Sequence, residues 1–309
     1  MPRPALAASR AIDILNFMAA APTRGYSLTE LVRALDLNPA SCHALVHAMM
    51  RDGYLTREQR GRTYRMGPAL IAIGQGALES HPVVAAARER IALLSKQFDL
   101  DCLLTARVGD RLIALALEGR GLSASLRVGQ RVPLIPPLGT PFLAWDEQGE
   151  IDDWLARGTD DVDCGRLRAA LSSVRARGYA VTLRSQRQSE AGEAVRELAE
   201  EPFARDRQQQ AAQAIGRMGD AYLMIDAQPD RLYHAGLISA PVFDMDGRVC
   251  CTLSLFGFER PLSLLRIAAL GDALLRQCHE AREKVACAAA SAAPSTQPIR
   301  GMGEAECAR

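Results

Sequence analysis

Residues 27–66 read SLTELVRALDLNPASCHALVHAMMRDGYLTREQRGRTYRM. Ser27 and Glu30 have the S-x-x-E spacing of a capping box, which satisfies two backbone N–H groups at a helix start. Leu28, Leu31, Val32 and Leu35 follow at helical spacing on one face. Asp36-Leu37-Asn38 reads as a turn. Asn38 is a favoured N-cap, and Pro39 suits the first helical position, where its missing N–H costs nothing. The second helix is expected to bury Cys42, Leu45, Val46 and Met49 and to end at Gly53. Its other face carries Ser41, Ala44, His47 and Arg51, with His43 near the boundary. Residues 54–57 and 62–65 alternate as strands around Glu58-Gln59-Arg60-Gly61, a hairpin with arginines at its tip and on one face. Residues 9–20 supply a helix behind the pair, with Ala11, Ile12, Leu15 and Met18 apolar and Pro22 as its stop. Helix, tight turn, helix and hairpin together predict a winged helix-turn-helix, which places its second helix in the DNA major groove.

Charge agrees with that reading. Residues 1–70 hold nine Arg against five Asp and Glu, a net +4, while the remainder is net −3. A basic head on a slightly acidic body suits contact with backbone phosphates, and the overall +1 conceals it. The residues expected at DNA are Ser27, Thr29, Asn38, Ala40, Ser41, His43, Ala44, His47, Arg51, Arg57, Arg60 and Arg62. Winged helices also serve as protein-interaction modules, so a sensor or scaffold whose head binds protein is the alternative.

At 309 residues and 48% hydrophobic, the chain has room for about two domains. No run approaches the roughly 20 apolar residues of a membrane span, and the N-terminus lacks the apolar stretch of a signal peptide. Eight cysteines (42, 102, 164, 250, 251, 278, 287 and 307) show no C-x-x-C spacing. Reduced cytoplasmic thiols fit better than a disulfide framework or a zinc knuckle. Cys250 and Cys251 are adjacent in an apolar strand and are expected on opposite faces.

Residues 67–79 (GPALIAIGQGALE) predict a linker helix with Leu70, Ile71, Ile73 and Leu78 on much of its surface. So apolar a helix needs a partner: the same helix of a second subunit, pairing two heads on a two-fold axis, or the chain's own second domain. Helices are expected over 82–98, 140–145, 152–157, 166–177 and 263–284. Strands are expected over 102–108, 111–117, 178–183, 237–243 and 248–256, with hairpin turns at Gly109-Asp110 and Asp246-Gly247. Helices outside an antiparallel sheet make an α+β domain of sensor type. Residues 184–220 are polar, Gln-rich and helix-favouring, and read as a solvated excursion or a lid. The resulting division is a DNA-binding head (1–67), a linker helix (68–80), an effector domain (81–285) and a low-complexity tail expected to be disordered (286–309).

The chain resembles the IclR family of bacterial transcription regulators over about residues 8–285. In the head the resemblance rests on AIDILNFM (11–18), SLTELVRALDL (27–37), Gly53-Tyr54-Leu55 and Tyr64-Arg65-Met66-Gly67-Pro68. In the body it rests on VGQRVPL (128–134), RGYA (177–180), SAPVFD (239–244) and TLSL (252–255). It implies a GAF-like effector domain, a dimer or dimer of dimers, and control of catabolic genes by a small metabolite such as an organic acid or an aromatic. It also implies an effector pocket between residues 136–139 and the last strands, with Leu138, Gly139, Leu237, Ser254 and Phe256 around it. Apolar surroundings with few polar groups suit a mostly apolar ligand.

Two departures stand out. Where the family often has S-T-x-x-R in its second helix, this chain has Ala40-Ser41-Cys42-His43-Ala44, so base readout falls to Ser41, His43 and His47. The family's H-x-T-A-x-G-K run becomes Ile135-Pro136-Pro137-Leu138-Gly139-Thr140, losing both histidine and lysine.

No enzyme signature is present: there is no G-x-S-x-G, P-loop, G-x-G-x-x-G or H-E-x-x-H. His43 and His47 have metal-capable spacing but no third ligand, and DNA contact explains them better. Asp160, Asp161 and Asp163 read as a solvated loop, and Asp244 and Asp246 as hairpin-turn residues. No cofactor, metal or membrane partner is expected. The partners expected are double-stranded operator DNA, a small-molecule effector and another copy of the chain.

Overall fold

The computed structural model describes residues 5–58, 61–121, 126–158, 163–200 and 204–292. Arg60, Asp160, Asp161 and most of the expected tail therefore lie outside the described residues.

The head comprises α1 (Leu6–Ala19), α2 (Leu28–Ala34), α3 (Pro39–Arg51), β1 (Leu55–Glu58) and β2 (Thr63–Met66). Its boundaries follow from local chemistry. The Ser27–Glu30 capping box closes in both directions, and Asn38 Oδ1 accepts from the amides of Ala40 and Ser41 at 2.9 and 3.3 Å. Asp36 turns the chain with φ +47°, and Gly53 leaves α3 at φ +74°. Ile14, Met18, Leu31, Cys42, Val46, Leu55 and Tyr64 form a common core.

Two expectations in the head need correction. Ile12 is 55% exposed whereas Ile14 is fully buried. Ile12 lies roughly 120° round the helix from Met18, off the face that Ile14 and Ala11 share with it. The hairpin strands sit one residue later than expected, and Arg62 turns the chain with φ +51° instead of joining a strand. The arginines consequently divide. Arg57 pairs with Tyr64, while Arg65 pairs with Thr56 on the opposite face.

The linker helix α4 (Ala69–Ser80) has no buried residue, and Ile71 is 77% exposed. The body then runs α5 (Pro82–Phe98), β3 (Asp101–Val108), β4 (Arg111–Glu118), β5 (Arg131–Pro133), α6 (Thr140–Leu143), α7 (Gln148–Leu155), α8 (Cys164–Arg177), β6 (Ala180–Leu183), α9 (Gln186–Glu200), α10 (Arg205–Gly216), β7 (Ala235–Phe243), β8 (Val249–Phe256) and α11 (Leu264–Ala292). The strands form one antiparallel sheet in the order β5-β4-β3-β8-β7-β6. The fold is α+β.

The sheet's two faces bury different chemistry. One carries Cys102, Leu104, Val181, Ile238, Ala240, Leu253 and Leu255 against α5 and α11. The other faces α6–α10, whose own core holds Trp154, Leu167, Leu171 and Ile215.

Several readings of the body are overturned here. The stretch 184–220 is not a solvated excursion: α9 and α10 pack together and bury Ala191, Leu198, Ala211, Ala214 and Ile215. Its small apolar residues, spaced among Gln and Arg, suffice to seat two helices. Gly178, expected to open a strand, caps α8 at φ +83°. The last helix continues to Ala292, so the tail does not begin at 286. The β7–β8 register shifts between Val242 and Phe243, leaving Cys250 as an extra residue on its strand. That bulge breaks the alternation, and the Cys250 and Cys251 sulfurs lie 3.8 Å apart instead of on opposite faces.

Candidate functional site

Two surfaces carry functional potential, and the first is the outward face of α3. Ala40, His43, Ala44, His47 and Arg51 are exposed there, and Ser41 is half-buried. The His43 and His47 rings stack with centroids 6.4 Å apart, while Cys42 points into the core. Thr29 is exposed on α2. Ser27 and Asn38 spend their side chains on capping, and Arg51 pairs with Asp52 at 3.1 Å. On the hairpin, Arg62 is exposed at the turn, and Arg57 lies over the Tyr64 ring, 5.9 Å from its centroid. Arg65 donates to the Thr23 carbonyl at 2.5 Å and pairs with Glu58, which ties the hairpin to the α1–α2 connection.

The second surface is internal. A cavity of about 210 Å³ lies between the sheet and the turn that precedes α6. Its floor is built by strand alternation. Thr105 pairs with Thr252, Leu103 with Ser254, and Ser254 with Ser239, so these side chains share one face. Ser254 Oγ donates to Ser239 Oγ at 2.8 Å. Pro137, Leu138, Gly139 and Phe142 form the opposite wall. Trp154 holds that wall from behind, donating its indole N–H to the Leu138 carbonyl at 3.0 Å. Gly139 has φ +92°, and a Cβ there would lie 2.1 Å from a Leu134 methyl. Tyr222 closes one side. Burial pushes its phenol above the ordinary value, so the hydroxyl stays protonated, and a hydrogen bond with Thr182 opposes the shift only in part.

Leu138, Gly139, Leu237 and Ser254 all border this cavity. Phe256 does not. It lies at the end of β8, opposite Asp101 and Leu237, and faces a separate cleft with Arg184 and Glu259. Strand identity alone places Phe256 beside Ser254, but the cavity ends before the strand does. Sequence reading missed the buried hydroxyls of Thr140, Thr182, Ser239 and Thr252. Their signal is visible in the strands, where Thr252 and Ser254 alternate with the core residues Cys251, Leu253 and Leu255.

A chain of hydrogen bonds leads from the cavity to the head. Gln130 borders the cavity, donates to the Val195 carbonyl of α9 at 3.3 Å, and accepts from the Arg127 amide at 3.0 Å. The Arg127 guanidinium donates to the carbonyl of Ala20, just past α1, at 3.2 Å. Near this contact, burial holds the Asp13 carboxyl above its usual range, with Arg131 countering.

No group of three or more His, Cys, Asp or Glu side chains among the described residues is placed to hold a metal ion. No described helix is long and apolar enough to cross a membrane.

The model of the IclR helix-turn-helix domain matches residues 7–59. The Pca regulon regulatory protein of Pseudomonas putida is 24% identical over 169 residues, which are 51% of this chain and 57% of that protein. The match thus spans little more than half of that relative's length. An IclR transcriptional regulator from Alicyclobacillus acidocaldarius superposes with a TM-score of 0.65 at 20% identity, over 91% of this chain and 99% of its own. An IclR homolog from Microbacterium hydrocarbonoxydans, solved in complex with 4-hydroxybenzoate, has a TM-score of 0.61 at 16% identity, over 91% and 99%. At such identities the structures attest the fold, and the head's match identifies its helix-turn-helix domain; these relatives are regulators of transcription rather than enzymes. The chain thus joins a head that matches the IclR helix-turn-helix domain to a body with the fold of solved IclR transcriptional regulators.

Proposed function

We propose that this protein is a cytoplasmic, ligand-responsive regulator of a catabolic operon that binds operator DNA as a dimer or a dimer of dimers. The observation that carries the reading is the bare outward face of α3. Ser41, His43 and His47 stand there on a helix whose N-terminus is capped and whose back is fixed in the head core. In this reading they meet base edges, with Thr29, Ala40, Ala44 and Arg51 at the groove walls. Ser27, Asn38, Arg57, Arg60 and Arg62 approach the phosphate backbone.

Dimerisation draws support from α4, an apolar helix with no buried residue. Two heads joined there would meet two half-sites about one helical turn apart. Ligand control draws support from the cavity and from its hydrogen-bonded connection to α1 through Gln130 and Arg127. A ligand that favours one arrangement of head and body shifts the population toward it and so changes half-site fit. Among relatives, one governs a regulon and another was solved with a small hydroxylated aromatic, and a cavity of about 210 Å³ has room for a molecule of that size.

The test is fluorescence anisotropy of the full chain on its own upstream intergenic DNA and on scrambled DNA, over a salt series. Sequence-preferring binding that weakens steeply with salt is expected. His47→Ala should alter preference among sequences, whereas Arg62→Ala should weaken all sequences alike. Absence of DNA binding even at low salt would overturn the reading and assign the head to a protein partner.

A further inference from the structure

The chemistry of the cavity narrows its ligand further. Every polar side chain that borders it among the described residues is a neutral hydroxyl or amide, and no Arg, Lys, His, Asp or Glu reaches it. Most of the polar groups are on the sheet side, with Thr140 at the start of α6 and Gln130 and Tyr222 elsewhere around the lining. Thr105, Thr182, Ser239, Thr252 and Ser254 lie on the sheet floor, and the facing wall of Pro137, Leu138, Gly139 and Phe142 is apolar. Three guanidinium groups, those of Arg111, Arg127 and Arg131, line the adjoining cleft toward α1. There Arg127 is engaged by the Ala20 carbonyl, and Arg111 lies 3.8 Å from Asp110.

A carboxylate moved into such a space gives up its hydration without meeting a cation, and the uncompensated penalty is several kcal/mol per ion. A neutral ligand oxygen exchanges one hydrogen bond for another at little net cost. Hydroxyls both donate and accept, so this floor can meet a ligand alcohol, phenol, carbonyl or ester. Size sets a second limit. A dry cavity of about 150 Å³ holds benzene, so about 210 Å³ takes one ring or a short branched chain with a few substituent atoms. Tyr222 agrees with a neutral interior, since its phenol is held protonated.

We infer that the effector of this protein is an uncharged, ring-sized molecule, its oxygen-bearing edge on the Thr105–Thr252–Ser254–Ser239 floor and its apolar body against the Pro137–Phe142 wall. The inference rests on the cavity being the effector site.

Calorimetric titration of the full-length protein with matched pairs tests it: 4-hydroxybenzyl alcohol against 4-hydroxybenzoate, and benzyl alcohol against benzoate. The neutral member of each pair should bind at least about tenfold tighter at pH 7.5, a difference of about 1.4 kcal/mol. Its affinity should be constant from pH 6 to 8.5, whereas an acid that enters only by taking up a proton weakens about tenfold per pH unit over that range. Ser254→Ala and Thr252→Val, both small changes at buried floor positions, should weaken the neutral ligand several-fold without lowering DNA affinity in its absence. Carboxylates binding as tightly as their neutral partners, with no pH dependence, would overturn the inference while leaving the cavity as the effector site. No binding by any member of the panel at millimolar concentration would overturn the cavity assignment itself, and the inference with it.

Discussion

The head and the body of this molecule reach their shapes by different routes. In the head, the starts of α2 and α3 and the end of α3 are set by residues within four positions of them: Ser27 with Glu30, Asn38 with Ala40 and Ser41, and Gly53 after Arg51. In the body, the floor of the cavity is assembled from residues more than 140 positions apart, with Thr105 beside Thr252 and Leu103 beside Ser254. A surface that reads DNA can be specified locally, because one rigid helix carries it. A cavity cannot, because strands from distant parts of the chain must agree in register before its hydroxyls face one space.

This contrast can be broken or sharpened by mutation. The largest effect is expected from Trp154→Ala, which empties a fully buried site and removes the hydrogen bond to the Leu138 carbonyl. Such truncations cost about 3–5 kcal/mol. Thermal unfolding should show the body destabilised and calorimetry should show ligand binding lost, while DNA binding at low salt persists below the melting transition. Equal loss of DNA affinity would show that head and body do not separate in this way.

Gly139→Ala comes next. It forces a side chain into the left-handed region, at about 1–2 kcal/mol, and drives its Cβ onto Leu134. Denaturant titration should record a loss of about 2 kcal/mol or more, with ligand affinity reduced as the wall moves inward. Unchanged stability would mean that the turn before α6 is free to rearrange.

A third variant, Arg127→Ala, addresses the junction of the two regions. It cuts the bond to Ala20 at an exposed residue, so folding, ligand affinity and DNA affinity measured separately should change little. The ligand-induced change in DNA affinity should fall by about 0.5–2 kcal/mol of coupling. Full coupling in this variant would remove the Gln130–Arg127 connection from the proposed mechanism.

The smallest effect is expected at the start of α2. Ser27→Ala should cost about 1 kcal/mol in chemical denaturation. Ser27 holds the Glu30 carboxyl below its usual range, through its amide first and its hydroxyl second. The folded-state value is depressed, so the contribution is present above the ordinary carboxylate value of about 4.3 and is lost as pH falls through the lower folded value. Since Glu30 is partly exposed, its share is small. An acid-unfolding profile in which the gap between wild type and S27A narrows slightly at low pH, while the hydroxyl's cap on the Glu30 amide keeps the rest of it, is the expected signature.

Local chemistry made the head legible almost residue by residue. The errors there came from packing direction: the apolar pattern of α1 does not show that Ile14 and not Ile12 faces inward, and the hairpin is offset by one residue because Arg62 takes the turn. In the body, the hairpins 101–118 and 235–256 were legible from alternation and Gly turns, and the cavity wall at Leu138 and Gly139 from resemblance. The α9–α10 pair was not, since its polar, Gln-rich surface conceals a narrow Ala and Leu stripe that makes sense only against a partner. The Cys250 bulge and the position of Phe256 outside the cavity likewise follow from cross-strand register.

By itself, then, the sequence determined the winged helix-turn-helix, the basic charge of the head and the α+β class of the body, because caps, turns and periodicity act over a few residues. Only the tertiary structure decided which hydroxyls share a cavity, that no charged side chain among the described residues reaches it, and that Gln130 and Arg127 connect it to α1. Those features depend on strand order, register and the docking of head on body, which no short stretch of chain encodes.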